Sequence, residues 1–275
     1  EYKRLGWLVS QIHPVHPLII WNYSQKVQYE HLWDEITINC RGLVTDLEGN
    51  VISKGFPKFH NLEEGKHVPT QDFEIYIKYD GQYIGCFWYK GQLVVNSRGS
   101  FTSQYAIAAQ NILETKYDIS LLPFGYTHCF ELIGYEQIVV NYPEEDLILT
   151  ACFNEFGSGE ADIHCDYYLE NFKVAKKYSG LDYTKIKDLN WQNSEGFVVR
   201  FSNGSRCKVK FADYCTLHRQ MTNLSTVGIW EALSQGIPVS SIRNDVPDEF
   251  FAKVKEYEER LKFKYSHLET RCADI

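Results

Sequence analysis

Two lysines separated by one residue could bind an anion. Lys208, Val209 and Lys210 lie in a run with β-strand alternation, so both ammonium groups point to one face of a sheet and Val209 to the other. Like charges on one face repel each other, and an anionic partner, either a carboxylate or a phosphate, would offset that cost. A sheet edge protected by solvated lysines is the alternative.

A third lysine, Lys78, ends an apolar strand-like run directly before a turn signal. It opens the string Lys78-Tyr79-Asp80-Gly81, and Asp-Gly readily adopts the positive φ of a hairpin turn. A K-x-D-G string is short enough to arise by chance, and a hairpin with a solvated lysine would also explain it. Other charged strings are Cys40-Arg41-Gly42, Pro57-Lys58-Phe59, Ser97-Arg98-Gly99-Ser100, Phe130-Glu131-Leu132 and Glu195-Gly196.

Strand-rich segments must position these residues as far as about residue 211. Runs of β-branched and aromatic residues predict strands at 73–78, 82–89, 92–96, 129–133, 137–142, 146–153, 195–201 and 206–211. Asp80-Gly81 and Asn203-Gly204 predict hairpin turns. Helical spacing occurs after a cap at Thr102 or Ser103, and again around 167–178. The predicted fold class is α+β with mostly antiparallel sheets.

The periodicity becomes helical in the last part of the chain. Pro247 stands near a first helical position, and Phe250, Val254, Tyr257 and Leu261 recur every three or four residues to about Tyr265. We therefore predict two units, residues 1–212 as the main domain and residues 213–275 as a helical extension packed on it.

Composition excludes several classes of protein. The 275 residues are 44% hydrophobic, which supports a core, and a net charge of −8 excludes a global positive field for nucleic acid. The apolar runs are too short to span a membrane. The eight cysteines form no C-x-x-C pair and the nine histidines no H-E-x-x-H motif, which disfavours zinc. Cysteines within apolar strands fit a reducing compartment, and we expect a cytoplasmic protein.

In this order and at these separations, the strings resemble the covalent nucleotidyltransferase superfamily of RNA ligases, DNA ligases and mRNA capping enzymes. The sequence is most similar to the ATP-dependent, phage-type RNA ligase 1 family of tRNA-repair ligases, and the likeness spans about residues 20 to 220. The similarity rests on C-R-G at 40–42, P-K-F-H-N at 57–61, S-R-G-S at 97–100 and K-V-K-x-x-x-Y-x-x-x-H at 208–218. It implies an adenylyltransferase domain of mostly antiparallel sheets flanked by helices.

The resemblance also implies roles for particular residues. Lys78 would take AMP from ATP as a lysyl phosphoramidate, Glu131 would hold the ribose, and Glu195 would assist both the metal and the lysine. The implied α-phosphate contacts are Lys208 and Lys210. The implied contacts to the triphosphate and pyrophosphate are Arg41, Lys58 and Arg98, and a nucleotide contact at Trp21 is an equal alternative to core packing.

A lysine nucleophile needs a lowered pKa. With an ordinary pKa of about 10.4, only about one lysine in a few thousand is a free amine near pH 7. We expect Arg41, Arg98, Lys208 and Lys210, together with Mg²⁺ or Mn²⁺, to lower the pKa of Lys78. The metal would also offset the charge of the ATP phosphates.

The implied activity is ATP-dependent joining of RNA 3′-hydroxyl and 5′-phosphate ends, through lysyl-AMP and an adenylylated RNA 5′ end, in RNA or tRNA repair. A broken tRNA is one candidate substrate, an end-healing kinase or phosphatase is a candidate partner, and we expect a monomer. Three departures from the family pattern are Arg98 in place of lysine, the lack of an Asn-Arg pair after Glu131, and a short C-terminal tail. Because of the short tail, a preference for tRNA is not implied.

Other functions stay open on the sequence alone. A capping-type guanylyltransferase and a DNA ligase would use the same lysine chemistry. A non-catalytic nucleotide- or RNA-binding module with the same fold is an alternative of a different class, and an unrelated α+β scaffold protein is another.

Overall fold

Three β-sheets form the body of the described chain. The computed structural model describes residues 1–135, 139–155, 159–223, 226–236 and 251–273. In chain order the strands are β1 (Leu8–Ile12), β2 (Leu18–Tyr23), β3 (Arg41–Asp46), β4 (Val51–Ser53), β5 (His60–Asn61), β6 (Phe73–Lys78), β7 (Gln82–Tyr89), β8 (Gln92–Ser97), β9 (Tyr126–Ile133), β10 (Asp146–Asn154), β11 (Lys177–Tyr178), β12 (Gly196–Phe201) and β13 (Arg206–Lys210).

Helices connect and flank these strands. They are α1 (Gln25–Tyr29), α2 (Glu35–Asn39), α3 (Gln104–Lys116), α4 (Asp166–Asn171), α5 (Ala212–Asn223), α6 (Thr226–Ser234) and α7 (Phe251–Ala273), with single 3₁₀ turns at Leu62–Glu64, Ile119–Leu121 and Ile186–Asp188. Helix α3 begins at the predicted cap, because the Ser103 hydroxyl accepts a hydrogen bond from the Ala106 N–H at 3.2 Å. No helix among the described residues is long and apolar enough to cross a membrane.

The strands pair in three separate sheets. The first sheet has the order β1-β2-β3-β4, the second β10-β9-β7-β8 and the third β11-β6-β12-β13-β5. Among the strands of the described residues, every pairing is antiparallel except that of β13 with β5. The predicted α+β class with mostly antiparallel sheets is confirmed.

Strict alternation in the third sheet separates its core from its polar face. Phe197, Val199 and Phe201 of β12 are fully buried with Cys207 and Val209 of β13. The intervening side chains, which include Val198, Arg200, Arg206 and Lys208, line a cavity on the other face. The hydrophobic residues therefore fix which charged side chains face the cavity.

The predicted hairpin at Asp80-Gly81 is wrong. Strand β6 pairs with β11 and β12, whereas β7 pairs with β8 and β9 in a different sheet. The Asp80 carboxylate is bonded to distant groups, the Tyr214 hydroxyl at 3.0 Å and the Val140 N–H at 3.3 Å. These tertiary bonds hold the chain in a crossover between sheets, so Lys78 lies at the junction.

Two further segment predictions need correction. Residues 139–142 of the strand predicted at 137–142 are not a strand, and residues 137 and 138 lie outside the described residues. The helical spacing at 167–178 corresponds to the short helix α4, followed by strand β11. The C-terminal helical periodicity corresponds to α7, Phe251–Ala273, and Pro247 lies outside the described residues.

Gly196 is a position where the fold requires glycine. Its φ is +150°, and an added Cβ would lie 1.9 Å from the Val209 carbonyl oxygen. We expect Gly196→Ala to lower the melting temperature by about 5 °C or more, because it would push apart β12 and β13. The matched control is Gly159→Ala, since nothing lies within 4 Å of a Cβ there. Equal melting temperatures for the two variants would contradict this packing.

Candidate active site

The strand register brings three charged residues to one end of the third sheet. Gly196 is paired with Lys78 of β6 on one side and with Lys210 of β13 on the other. Glu195 directly precedes Gly196, so its side chain lies between the two lysines. Residues separated by more than one hundred positions in the sequence therefore meet through backbone pairing.

The Glu195 carboxylate binds both lysines. Its Oε2 atom lies 2.8 Å from Lys78 Nζ and its Oε1 atom lies 2.8 Å from Lys210 Nζ. The Glu195 side chain is only 3% exposed, so water screens these charges poorly. The Lys210 ammonium also lies 4.9 Å from the centre of the Tyr214 ring. For Lys210, the anionic partner predicted from the sequence is thus a carboxylate.

The prediction that the protein's own charges lower the pKa of Lys78 is wrong. Burial disfavours the charged amine, but the carboxylates of Glu195, Glu131 and Asp80 outweigh burial and hold the pKa of Lys78 above its ordinary value. Lys78 is therefore held as an ammonium group.

Asp80 belongs to the same charged network. Burial, and then the charge of Glu195, raise the pKa of the Asp80 carboxyl group, although hydrogen bonds from Tyr214 and Val140 act in the opposite direction. The Asp80 N–H donates to the Tyr142 hydroxyl at 2.9 Å. Because Tyr214 lies on α5, this network connects the loop after Lys78 to the first of the C-terminal helices.

A cavity of about 480 Å³ lies in front of Lys78. It is bounded by the polar face of the third sheet and by residues of the other two sheets, including Arg41, Tyr83, Glu131 and Thr150. The cationic side chains that line it are Arg41, Lys58, Lys78, Arg98, Arg200, Arg206 and Lys208. A concave site of this size with convergent polar groups is typical of small-ligand binding.

Two of these cations are neutralised at one end of the cavity. Arg206 binds both carboxylate oxygens of Glu160, and Arg200 binds Glu160 at 3.0 Å and Glu74 at 2.8 Å. Glu74 also accepts a hydrogen bond from Lys177. This network ties β6 to β12 and β13. No sequence motif predicted this network, although alternation with the buried Phe197, Val199 and Phe201 places Arg200 on the opposite, cavity-lining face of β12.

Four other cations have no carboxylate partner. Among the described residues, Arg41, Lys58, Arg98 and Lys208 form no ion pair, and Arg41 Nη1 is buried without a hydrogen bond. Arg41 lies 5.2 Å from the Tyr83 ring centre, Lys58 5.2 Å from that of Trp33 and Arg98 5.4 Å from that of Tyr23. Aromatic faces support these cations without neutralising them, which suits an anion with several charges.

Two lining groups have pKa values near neutrality. Burial and the charges of Lys58, Lys78 and Lys210 lower the pKa of Lys208 to about 7. Burial raises the pKa of Glu131 to about 7. The charge of Lys78 acts to lower this pKa, and the charge of Glu195 acts to raise it. A bound anion would favour the charged form of Lys208.

The structure separates the predicted site residues into three groups. Those lining the cavity are Arg41, Lys58, Lys78, Arg98, Glu131 and Lys208. Glu195 and Lys210 are not among the described residues that line the cavity; Glu195 binds Lys78 directly, and Lys210 is linked to Lys78 through Glu195. Trp21 is not among the described residues that line the cavity; its indole N–H donates to Thr45 at 3.0 Å and its ring packs with a core cluster. Tyr23, two residues later, does line the cavity.

Comparison with known proteins identifies the family of this chain. A family model described as RNA ligase, of the phage-type RNA ligase 1 group, matches residues 39–255. The chain belongs to this RNA ligase family. The resemblance inferred from the ordered strings is therefore confirmed, and the family is one of enzymes that join RNA ends.

A viral relative and two solved structures extend the comparison. A protein of Autographa californica nuclear polyhedrosis virus, described as a bifunctional polynucleotide kinase/RNA ligase, is 25% identical over an alignment 248 residues long that covers 75% of this chain and 34% of the relative. The chain thus spans about one third of that relative's length. An archaeal ATP-dependent RNA ligase has a TM-score of 0.60 at 15% identity, covering 95% of this chain and 73% of that one.

A protein of Aquifex aeolicus described as an ATP-dependent DNA ligase has a TM-score of 0.57 at 18% identity, with 98% of this chain and 73% of that chain covered. At these identities the two structures show a shared fold. The ligase-type nucleotidyltransferase fold predicted from the sequence is confirmed.

The pKa of Lys208 predicts how nucleotide affinity changes with pH. Above about pH 7 the amine is neutral, so phosphate binding must take up a proton, and affinity should fall by up to about tenfold per pH unit. We expect this fall between about pH 7.5 and 9, measured by calorimetry with α,β-methylene ATP, which prevents transfer. Lys208→Arg should weaken the dependence, because arginine stays charged.

Lys187→Arg is the matched control, since Lys187 is exposed and does not line the cavity. Equal pH dependence in the wild type and in Lys208→Arg would contradict a titrating amine at this position.

Proposed function

We propose that the protein is an ATP-dependent RNA ligase that joins RNA 3′-hydroxyl and 5′-phosphate ends through AMP bonded to Lys78. The observation that carries this proposal is the Lys78–Glu195 ion pair at the wall of a cavity that also holds four cations with no carboxylate partner in the described part of the chain. A lysine beside an anion-binding cavity is suited to attack a bound phosphate.

The charges divide the cavity into parts that fit a nucleotide. Lys208 is proposed to contact the α-phosphate with help from Lys210, while Arg41, Lys58 and Arg98 contact the outer phosphates. Forked guanidinium groups bind phosphate oxygens in pairs, which favours arginine where geometry matters. Glu131 is proposed to accept hydrogen bonds from the ribose. Its pKa of about 7 shows that the carboxylate is readily neutralised by protonation.

The residues fit a divalent cation only if phosphates complete its coordination. Among the described residues no group of three or more histidine, cysteine, aspartate or glutamate side chains could hold a metal ion. Mg²⁺ is commonly bound by one or two carboxylates together with substrate phosphates, and we propose Glu195 as the protein ligand for Mg²⁺ or Mn²⁺. When bound, the cation supplies positive charge that opposes the effect of Glu195 on Lys78 and stabilises the departing pyrophosphate.

Lys78 reacts in the proposed sequence only as a free amine. It attacks the α-phosphorus of ATP, pyrophosphate leaves, and the amine proton is lost. The 5′-phosphate of RNA then attacks the same phosphorus and releases Lys78, which gives A(5′)pp(5′)RNA. The RNA 3′-hydroxyl finally displaces AMP and forms the phosphodiester bond.

Several finer features are part of the proposal. Cleaved tRNA is a candidate substrate, and an end-healing kinase or phosphatase is a candidate partner, as suggested by a viral relative whose name joins a kinase to a ligase. We also propose a monomer in the cytoplasm and a division into residues 1–212 and 213–275. The Tyr214–Asp80 hydrogen bond supports packing of the extension on the main domain.

A labelling experiment tests the proposal. Incubation with α-labelled ATP and Mg²⁺ should leave covalent label that is stable in alkali and released by acid on the wild type, and none on Lys78→Ala, because only the Lys78 amine forms the phosphoramidate. Lys187→Ala should be labelled like the wild type, since Lys187 is exposed and lies away from the cavity. Label of equal intensity on Lys78→Ala would remove Lys78 as the nucleophile.

Substrate comparisons separate the alternative functions. We expect ATP rather than GTP to label the protein, and we expect sealing of RNA rather than of a nicked DNA duplex. Preference for GTP would support a capping-type guanylyltransferase, and preference for nicked DNA would support a DNA ligase. Nucleotide binding with no covalent label on the wild type would support a non-catalytic binding module.

A further inference from the structure

A second depression adjoins the cavity and has a different composition. We call it the side groove, and it is lined by Gly6, Val9, Asn22, Tyr23, Ser24, Gln25, Lys26, Gln28 and Arg98. Its volume is about 400 Å³, and none of the described residues that line it is acidic. In a protein with a net charge of −8, a groove of amides and cations without carboxylates favours a polyanionic partner.

The side groove begins where the cavity ends. Tyr23, Gln28 and Arg98 line both, so an extended ligand can continue from one into the other. In the first sheet Asn22 is paired with Val9, which lines the side groove, and with Arg41, which lines the cavity. Asn22 therefore stands at the boundary between the two.

Asn22 carries a polar atom without a partner. The residue is 8% exposed, and its Oδ1 atom is buried with no hydrogen bond. A buried carbonyl oxygen without a donor is costly, so a ligand that supplies a hydroxyl group would be favoured there. Because a hydroxyl both donates and accepts, either end of the carboxamide can bind it.

Phosphoryl-transfer geometry indicates which ligand reaches this point. Attacking and leaving groups lie roughly in line at the phosphorus, so pyrophosphate departs on the side opposite Lys78. When Lys78 itself is released, the RNA 5′-phosphate must attack from that same side. Its oxygen forms the new P–O bond, the P–N bond breaks, and the amine takes up a proton. Arg98, proposed as an outer-phosphate contact, lies between this position and the side groove.

We propose that the side groove binds the first nucleotides of the 5′-phosphorylated RNA strand, with Asn22 hydrogen-bonded to a ribose 2′-hydroxyl and Lys26 near a backbone phosphate. The inference rests on the proposed function. The 2′-hydroxyl distinguishes RNA from DNA, so this contact selects RNA. The family match begins at residue 39, so every groove residue named here except Arg98 lies outside the matched segment.

The test uses protein already adenylylated at Lys78, which also establishes that each variant is folded. Two 5′-phosphorylated donor strands with blocked 3′ ends are compared, one of RNA and one with 2′-deoxy sugars at the first two nucleotides. The measured quantity is the single-turnover rate of adenylate transfer to each strand. We expect the wild type to prefer the RNA donor by about fivefold to tenfold, the value of one hydrogen bond.

Asn22→Ala should bring this ratio close to one. Asn111→Ala is the matched control, because Asn111 is exposed on α3, and it should keep the wild-type ratio. A wild-type ratio near one, or an undiminished ratio in Asn22→Ala, would overturn the proposal. If Asn22→Ala instead removes sensitivity to a 2′-deoxy sugar in the 3′-hydroxyl strand, the side groove binds that strand and its assignment to the 5′-phosphorylated strand is wrong.

A second variant tests the phosphate contact independently. Lys26 is exposed, so Lys26→Ala should fold, and it should slow transfer to both donors alike while reducing the slope of log rate against log salt by about one. An unchanged salt slope would remove Lys26 from the RNA path. Failure to form any lysyl-AMP would refute the proposed function, whereas lysyl-AMP without 2′-hydroxyl dependence would refute the side groove alone.

Discussion

The buried carboxylate of Glu195 is the interaction on which the site depends. One carboxylate oxygen binds Lys78 and the other binds Lys210, in surroundings where water screens charge poorly. Without it, two ammonium groups on the strands that flank β12 would repel each other close to Lys208. The same contact keeps Lys78 charged and therefore unreactive. In the proposed mechanism, positive charge near Glu195 is needed before the amine can attack, which would connect metal binding to the first step.

Strand register supplies the geometry for this interaction. Glu195 reaches both lysines because Gly196 is paired with each of them, and Gly196 permits the close approach of β12 and β13. The crossover at Asp80 then places the Lys78 end of the third sheet beside the other sheets, whose residues complete the cavity. One short segment therefore joins Lys78, the proposed nucleophile, to the cavity.

Much of this arrangement could be predicted from local sequence signals. Alternation correctly placed Lys208 opposite the buried Val209, and the strand of Lys78 has the predicted bounds, Phe73–Lys78. The local sequence at Asp80-Gly81 could not predict which strands pair after the turn, because the choice of partner strand depends on hydrogen bonds from Tyr214 and Val140. Local propensity favours a turn, but tertiary contacts decide which strands it joins.

The pKa values of the site were even harder to predict from the sequence. The pKa of Lys78 depends on distances to Glu195 and Glu131, which no motif encodes, so the predicted direction was wrong. Trp21 and Asn22 are adjacent, yet the first packs in a core cluster and the second lines the side groove. A bulge in the pairing of β2 with β3 falls between them. Such a local irregularity has no clear sequence signature.

The pKa of the Lys78 amine tests the electrostatic account most directly. It can be measured by NMR titration of the wild type and of Glu195→Gln in the absence of ATP, with Lys78 assigned by its loss in Lys78→Arg. The account predicts a pKa above the ordinary lysine value of about 10.4 in the wild type and a lower value in Glu195→Gln. A wild-type pKa well below the ordinary value, unchanged by Glu195→Gln, would contradict it.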